Sequence, residues 1–599
     1  MYTSNIKGFL FSGLLLIGIY QSGECQSISI PSGGSIAITG AATIEINNGD
    51  FINNGTYTKG SETVTFSGIT AKSMSGSSST VMNNISITNT GGITDQLGSL
   101  TINNLSIAVS CKFTIDPAKA VTATSITNSA GSTGLLVKSG IAGSGSLILG
   151  NTGVSASLER YMTKGVWHVI SIPVSGQLIG SFVSNSANSI GYNASATDWG
   201  MMPYDPTNNL WGAFFKTANV STFNIGEGYM VRRKSGGADG VVTASGDLQS
   251  GNVNRNVVSG KWNAIGNPYS SAIGVKTISA STDKFLTVNS SNLDASYAAI
   301  YIWDEQAGYA GPSRSDYKVI SNSGYSPELS KNYLQVGQGF MVKTAAAATT
   351  VNFTAAMQTH QVTETYLKKS DVSWPGFELV ASGSTNSINT IVCFDENMTI
   401  GLDPSFDAGV LKGNPSLALY TRLMEDNGLG FAIQCLPLNG IEEFIIPVGI
   451  DYPSGGELVF TAKTELIPFG SAVILEDRLL GTFTNLVSYP AGYTVNLSPS
   501  TSGTGRFYLH TSDAQVSNLP VSNKILQVYA SGQKIYINGE VSANAIFSLY
   551  SIQGVLFKEF ISNGSLNQQL DAVDLKDGVY LLRISDGLQN RTYKLFIGY

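Results

Sequence analysis

Chemistry in this chain would have to start from very few side chains. Only three histidines are present, His168, His360 and His510, and they lie far apart in the sequence. A zinc site needs clustered His and Cys ligands, and neither His-Glu-x-x-His nor Gly-x-Ser-x-Gly occurs. A Ser-His-Asp triad would have to be assembled entirely by the fold. His168 sits in a strand-like run and is expected to serve that strand rather than act as a base. Paired carboxylates suit glycoside hydrolysis, and Asp304-Glu305 follows Trp303 while Asp198 precedes Trp199. Neighbours in a strand point to opposite faces, which makes Asp304-Glu305 a poor pair outside a loop. The stretch from Asp304 to Asp316, a candidate calcium loop, lacks the spacing of an EF-hand. No catalytic residue, metal site or cofactor is therefore assigned. Binding is better supplied. Aromatic rings beside loop acids can stack on sugar rings while the carboxylates accept hydroxyl hydrogen bonds. Trp199, Trp211, Trp303 and Asp304, with Tyr309 nearby, are the candidate ligand contacts. The plain alternative is that these rings fill cores.

The elements that would position such contacts are strands. Hydrophobic residues make up 42% of the chain and aromatics 10%, too much apolar surface for disorder. Charged residues are only 13%, about half the share usual in soluble domains. Apolar, mostly β-branched or aromatic positions alternate with Gly, Ser, Thr and Asn, the pattern of half-buried strands. An all-β, multidomain chain follows. The net charge is −7; no basic run or Lys/Arg stripe stands out, so no nucleic-acid partner is expected.

Residues 26–157 are repetitive. Asn83-Asn84-Ile85-Ser86-Ile87 recurs as Asn103-Asn104-Leu105-Ser106-Ile107, a period of about twenty that suits a parallel β-solenoid. A β-sandwich with frequent turns is the rival reading. Residues 158–365 hold a duplication, with copies at about 158–250 and 251–365. Trp167-His168-Val169-Ile170-Ser171-Ile172-Pro173 aligns without gaps on Trp262-Asn263-Ala264-Ile265-Gly266-Asn267-Pro268, and Gly226-Glu227-Gly228-Tyr229-Met230-Val231-Arg232 on Gly337-Gln338-Gly339-Phe340-Met341-Val342-Lys343. The second copy carries the longer insertion. Between the motifs Tyr204-Asp205 and Trp211 correspond to Trp303-Asp304 and Tyr309. The Gly-x-Gly here is a turn or bulge feeding a strand; the third glycine of a dinucleotide fingerprint is missing. Residues 366–512, with short strands split by Gly, Pro and Asn, suggest a β-sandwich. Residues 513–522 read as a linker, and 523–599 as a separate small β-module.

At the other end, Lys7 followed by the short apolar run from Gly8 to Tyr20 has the form of a signal peptide. Gly23 and Cys25 fit the small positions before a cleavage site, giving a leader of 1–25. A lipoprotein reading of Cys25 is disfavoured because Glu24 precedes it. Of the remaining Cys111, Cys393 and Cys435, the last two share one expected domain and are candidates for pairing, though three cysteines form no disulfide framework and buried thiols are the expectation.

The C-terminal module resembles the type A sorting domain of proteins exported by the type IX secretion system of Bacteroidota. The likeness is carried by Ile535-Tyr536-Ile537, Leu549-Tyr550-Ser551-Ile552-Gln553-Gly554, Leu575-Lys576-Asp577-Gly578-Val579-Tyr580-Leu581-Leu582-Arg583-Ile584 and Tyr593-Lys594-Leu595-Phe596-Ile597. The resemblance implies an Ig-like sandwich with Gly554, Gly578, Tyr580, Lys594 and Ile597 in the sorting signal. It also implies passage through the periplasm to the outer surface or beyond, with the type IX machinery and its sorting protease as partners, and attachment to surface lipopolysaccharide or release. A β-branched residue at Gly578 should impair export if that turn needs a positive φ. The whole reads as an exported, adhesin-like binding or structural protein, with glycans or host and matrix proteins as further partners. The alternative is an extracellular polysaccharide-acting glycoside hydrolase.

Overall fold

The structure is a computed structural model. It describes the chain from Leu15 to Ile597 apart from residues 19–22, 26, 194, 196, 278, 304–316, 324–331, 362–373, 385–386, 412–415, 439–443, 465, 467–471, 513–526, 532, 539–540, 566, 577 and 586–589. Asp304, Tyr309 and the expected linker 513–522 thus lie outside the described residues. Strand accounts for 54% and helix for 5%, so the chain is all-β.

The N-terminal region winds into a β-solenoid of about six turns. Its rungs stack in parallel. Val64 pairs with Ile85, Ile85 with Leu105, and Leu105 with Ile126. Each step advances the sequence by about one repeat, so like residues stack on like and Ile85, Leu105 and Ile126 fall into one buried column. The repeated asparagines line the coil in ladders. Asn104 donates from Nδ2 to Asn84 Oδ1 at 2.8 Å, and Asn48 Oδ1 accepts from the backbone of Ile69 and Thr70 one coil on. Strands Leu15–Gly18 and Gly23–Cys25, inside the expected leader, pair in parallel with the next coil.

No break separates the solenoid from the duplicated unit. Strand Ser155–Met162 pairs in parallel with the solenoid strand Leu135–Val137 and antiparallel with Gly240–Leu248 of the first copy, so the expected boundary at 157 falls inside a strand. One hydrophobic core runs from Ile30 through to Leu248. Each copy builds a four-stranded antiparallel sheet. In the first, Trp167–Ser171, Gly228–Arg232, Met201–Asp205 and Leu210–Trp211 lie side by side; in the second, Trp262–Gly266, Gly339–Lys343, Ile300–Trp303 and Tyr317–Ile320 do so. The registers correspond position for position: Trp167 lies opposite Arg232 as Trp262 lies opposite Lys343. Tyr204 pairs with Trp211 as Trp303 pairs with Tyr317. The counterpart of Trp211 is therefore Tyr317 and not Tyr309, because the insertion between Trp303 and Tyr317 displaces the return strand along the sequence.

The copies meet about a pseudo-twofold axis. Ser171 N donates to Gly337 O, and Gly266 N donates to Gly226 O, both at 3.0 Å. Gly226 and Gly337 have φ of 75° and 69°, which only glycine adopts without strain. The duplicated Gly-x-Gly is thus a turn that lets the two backbones exchange hydrogen bonds.

Residues 376–512 form one long hydrogen-bonded sheet path folded over its own core. Phe460 and Phe507, from strands well separated on that path, touch with centroids 5.0 Å apart, as the two layers of a sandwich must. The C-terminal module pairs a three-stranded with a four-stranded antiparallel sheet around Ile535, Ile537, Phe547, Leu582 and Ile597.

Candidate functional site

The two copies present the same row of side chains on the sheet face turned away from their solenoid-side and copy-specific cores. In the first copy the row is Trp167, Val169, Met230 and Met202. In the second it is Trp262, Ala264, Met341 and Tyr301. The fates of the two rows differ. The second is sealed by the sandwich. Cys393, Ala408, Ile433 and Cys435 pack on it, and Tyr301 Oη donates to Gly409 O at 2.6 Å. Buried polar groups accompany this seam. Lys276 Nζ donates to Ser323 O at 2.8 Å, and burial pulls the ammonium pKa down to about 8. Cys393 and Cys435 face each other on adjacent strands with sulfurs 2.8 Å apart; both are buried free thiols, as is Cys111.

The first row is covered by Trp303, Trp211 and Tyr317. At its Trp167 end it opens into a groove of about 610 Å³, lined by Trp167, Tyr192, Trp199 and Phe214 on one side of the chemistry and Arg232, Arg233 and Lys234 on the other. Five separate segments bring these residues together. Strand Asp198–Trp199 pairs with Phe215–Lys216, and Trp199 Nε1 donates to Thr217 Oγ1 at 2.8 Å, which fixes the indole. Tyr192, 47% exposed, meets Trp199 edge-on with centroids 4.9 Å apart. Phe214 lies parallel to Trp167 at 6.3 Å. Lys234 Nζ sits 4.1 Å from the Tyr192 ring centre, a cation–π contact.

Of the sequence candidates among the described residues, the groove gathers Trp199 and the Asp198 before it. Trp303 is 4% exposed and packs edge-on against Tyr317 at 5.2 Å, so its ring offers no face to a ligand. Trp211 is half-buried against Tyr204 in the equivalent pair. Trp167, Tyr192, Phe214 and the run Arg232-Arg233-Lys234 were missed. That run is a short basic cluster after all, legible in the sequence; a search for long stripes passes over it.

The histidines are held by neighbours. His168 Nε2 contacts Thr163 O at 2.9 Å, pinning the turn before its strand. Its counterpart Asn263 donates to Val258 O at 3.0 Å, the same reach back along the chain. His360 lies between Ser146 Oγ and Thr122 Oγ1 at 2.8 and 2.7 Å, where burial lowers its pKa to about 4. His510 meets Glu476 Oε2 at 2.8 Å. Among the described residues no group of three or more His, Cys, Asp or Glu side chains is placed to hold a metal ion. Asp407 is buried, accepts from the Cys435 amide at 2.7 Å, and has its carboxyl pushed up to about 7 by that burial. It belongs to the seam and not to a cleft.

In the sorting module Gly578 lies opposite Ile597 and Leu581 opposite Lys594 on one hairpin. Tyr580 Oη donates to Lys576 O at 2.7 Å. Gly578 begins a strand, and its φ is not in the left-handed region; an added Cβ there would meet only ordinary contacts, with the Tyr580 ring at 3.7 Å. The turn at Gly578 therefore does not draw on a positive φ, and that ground for impaired export falls away. Gly554 and Gly564, with φ of 82° and 75°, are the glycines among the module's described residues that sit in the left-handed region.

Residues 60–510 match the family described as a domain of unknown function, DUF8693. Residues 530–598 match the secretion system C-terminal sorting domain. A search of curated proteins finds no match. Among solved structures, one described as "Biofilm associated protein - BSP domain" is similar at 9% identity, covering 74% of this chain and 92% of that chain with a TM-score of 0.12; a score that low carries no argument. The sorting-domain match bears out the resemblance seen in the sequence, and the chain is a type IX secretion substrate, exported to the cell surface or beyond.

Proposed function

The chain belongs to the DUF8693 family and ends in a type IX sorting domain, and on that premise we propose that it acts outside the cell as an adhesin-like protein that binds saccharide in the groove of its first copy. The single observation that carries this reading is the unequal use of one face. The duplicated unit builds the same aromatic-ended row twice, and the sandwich covers it once. The uncovered end displays Trp199 and Tyr192 beside Asn193 and Asp198. Flat rings bordered by short polar side chains suit a pyranose, whose C–H face stacks while its hydroxyls hydrogen-bond.

In this reading the solenoid and sandwich are scaffold. Residues 1–25 are a leader, cleaved before Gln26, and the module 523–599 is the address read by the export machinery and its sorting protease, with surface lipopolysaccharide as the anchoring partner. Retention of the purified protein on immobilised polysaccharides tests the binding claim. Wild type should bind saturably, and the double variant Tyr192→Ala, Trp199→Ala should lose at least about tenfold in affinity, since stacked aromatic contacts are worth on the order of 1 kcal/mol each. Undiminished binding by the double variant would remove the groove from the account. Chain cleavage in the same assay would instead favour a polysaccharide-acting enzyme.

A further inference from the structure

We propose that the groove selects an acidic polysaccharide, one bearing carboxylate or sulfate groups; this rests on the saccharide reading above and specifies its ligand class. The chain as a whole is acidic, at −7, yet this groove is lined by Arg232, Arg233 and Lys234 against one acid, Asp198. Asp198 is already countered by Lys216, 3.9 Å away on the paired strand. The local excess of positive charge therefore runs against the composition of the molecule.

Copy symmetry shows that the fold does not require these cations. At the corresponding register the second copy reads Lys343-Thr344-Ala345. There the one cation is neutralised by Asp294 at 3.5 Å. The tryptophan is kept in both copies, and the clustered charge is found only where the groove is open.

The arginines are also poised in a way that leaves charge unanswered. Arg232 donates from Nε to Gly165 O at 2.7 Å, which anchors the guanidinium; among the described residues its terminal nitrogens have no protein hydrogen bond. Arg233 is 7% exposed. Its Nη1 donates to the carbonyls of Asn188 and Val241, and its Nε is buried without a partner. The Asp239 carboxylate acts on this guanidinium through space, but its hydrogen bonds among the described residues go to carbonyl dipoles, which leave net charge in a medium that screens poorly. An anion in the adjoining groove would offset that, and Arg232 supplies the fork geometry that binds a carboxylate or sulfate in two-pronged fashion. Trp199 and Tyr192 then hold the sugar while the cations read its charge.

Binding of the full-length protein should be measured against a polyuronate, the same polymer with its carboxyls reduced to alcohols, a sulfated polysaccharide, and poly-glutamate. The expected result is binding to one or both acidic polysaccharides, at least about tenfold weaker for the reduced polymer and weakened by salt. Arg232→Gln with Lys234→Gln should lower acidic binding by about tenfold or more with unchanged thermal unfolding, which separates lost recognition from misfolding. Preference between the uronate and sulfate arms identifies the source of the charge. Equal binding of the neutral polymer, or acidic binding that survives the double variant, would overturn this inference and leave the saccharide reading standing. Binding of poly-glutamate alone, or of no polymer, would overturn both.

Discussion

The first and second copies of the duplicated unit share a register, a tryptophan and a Gly-x-Gly turn, yet they are joined to the rest of the molecule by different means. The first copy is an extension of the solenoid: strand Ser155–Met162 belongs to both, and one core runs through them. The second copy has its own core. It is held to the solenoid through His360 and Ser270 and to the sandwich through the row ending in Tyr301. Duplication thus supplied two equivalent surfaces, and packing used up one of them. The consequence for function is that the copy most tightly fused to its neighbour on one face is the one left open at one end of the other.

The largest test of this contrast is Gly409→Val. A Cβ at Gly409 would sit 2.5 Å from a Tyr297 ring carbon and 2.8 Å from Ser296 O, so the sandwich has to back away from the second copy. Overpacking of this kind costs about 1–3 kcal/mol. Calorimetry should show the sandwich unfolding in a separate, earlier transition, whereas Phe214→Ala, at the open end of the first row, should leave the unfolding profile intact. A single unshifted transition for Gly409→Val would mean that the seam does not couple the two parts.

A second test uses pH at the His360 seam. The folded-state pKa of about 4 lies below the ordinary histidine value near 6.5, so between these values the unfolded chain binds the extra proton. Stability conferred by neutral His360 is therefore complete above about pH 6.5 and is lost as pH falls toward 4. The loss should be on the order of 1–2 kcal/mol after allowance for partial exposure. Asp407 acts in the opposite sense. Its folded value of about 7 is raised, so its contribution declines as pH rises from about 4 to 7. Urea unfolding of wild type and His360→Gln across this range should show the acid-side loss in the former and its reduction in the latter. Identical pH profiles would show that the imidazole does not bear on the seam.

The smallest expected effect is from exchanging the counterparts His168 and Asn263. Each reaches back to the same turn carbonyl, so His168→Asn should change stability by less than about 0.5 kcal/mol and leave polysaccharide binding and export unchanged. A substantial loss of binding would give His168 a role that its hydrogen bond to Thr163 does not suggest.

How far the sequence disclosed all this depended on the distance over which each feature is built. The solenoid was legible because its period is carried by neighbours in the chain, Asn83-Asn84-Ile85 and Asn103-Asn104-Leu105. The duplication was legible because the motifs at Trp167 and Trp262 align without gaps. The pairing of Trp211 with Tyr317 was not, since the insertion after Trp303 moves the partner strand and sequence alignment favours the nearer Tyr309. The groove was illegible for a related reason. Trp167, Tyr192, Trp199, Phe214 and Arg232 come from separate strands and loops, and no local pattern announces their convergence. Trp303 resembled Trp199 in having an acid beside it, yet one ring is sealed by Tyr317 and the other is left at an edge. That difference lies in tertiary packing alone.

The capping of the solenoid bears on how the chain can fold. Its strand Ser146–Leu149 is completed by segments much later in the sequence: Leu147 exchanges hydrogen bonds with Ser270, and Ser146 bonds to His360. A chain emerging from its N-terminus would build the coils early and then wait with that edge unpaired, a template for any passing strand. The rate of closing so distant a contact is limited by the loop that must form first. The interval between making residue 149 and placing residue 360 is therefore the period in which this edge is most open to mispairing.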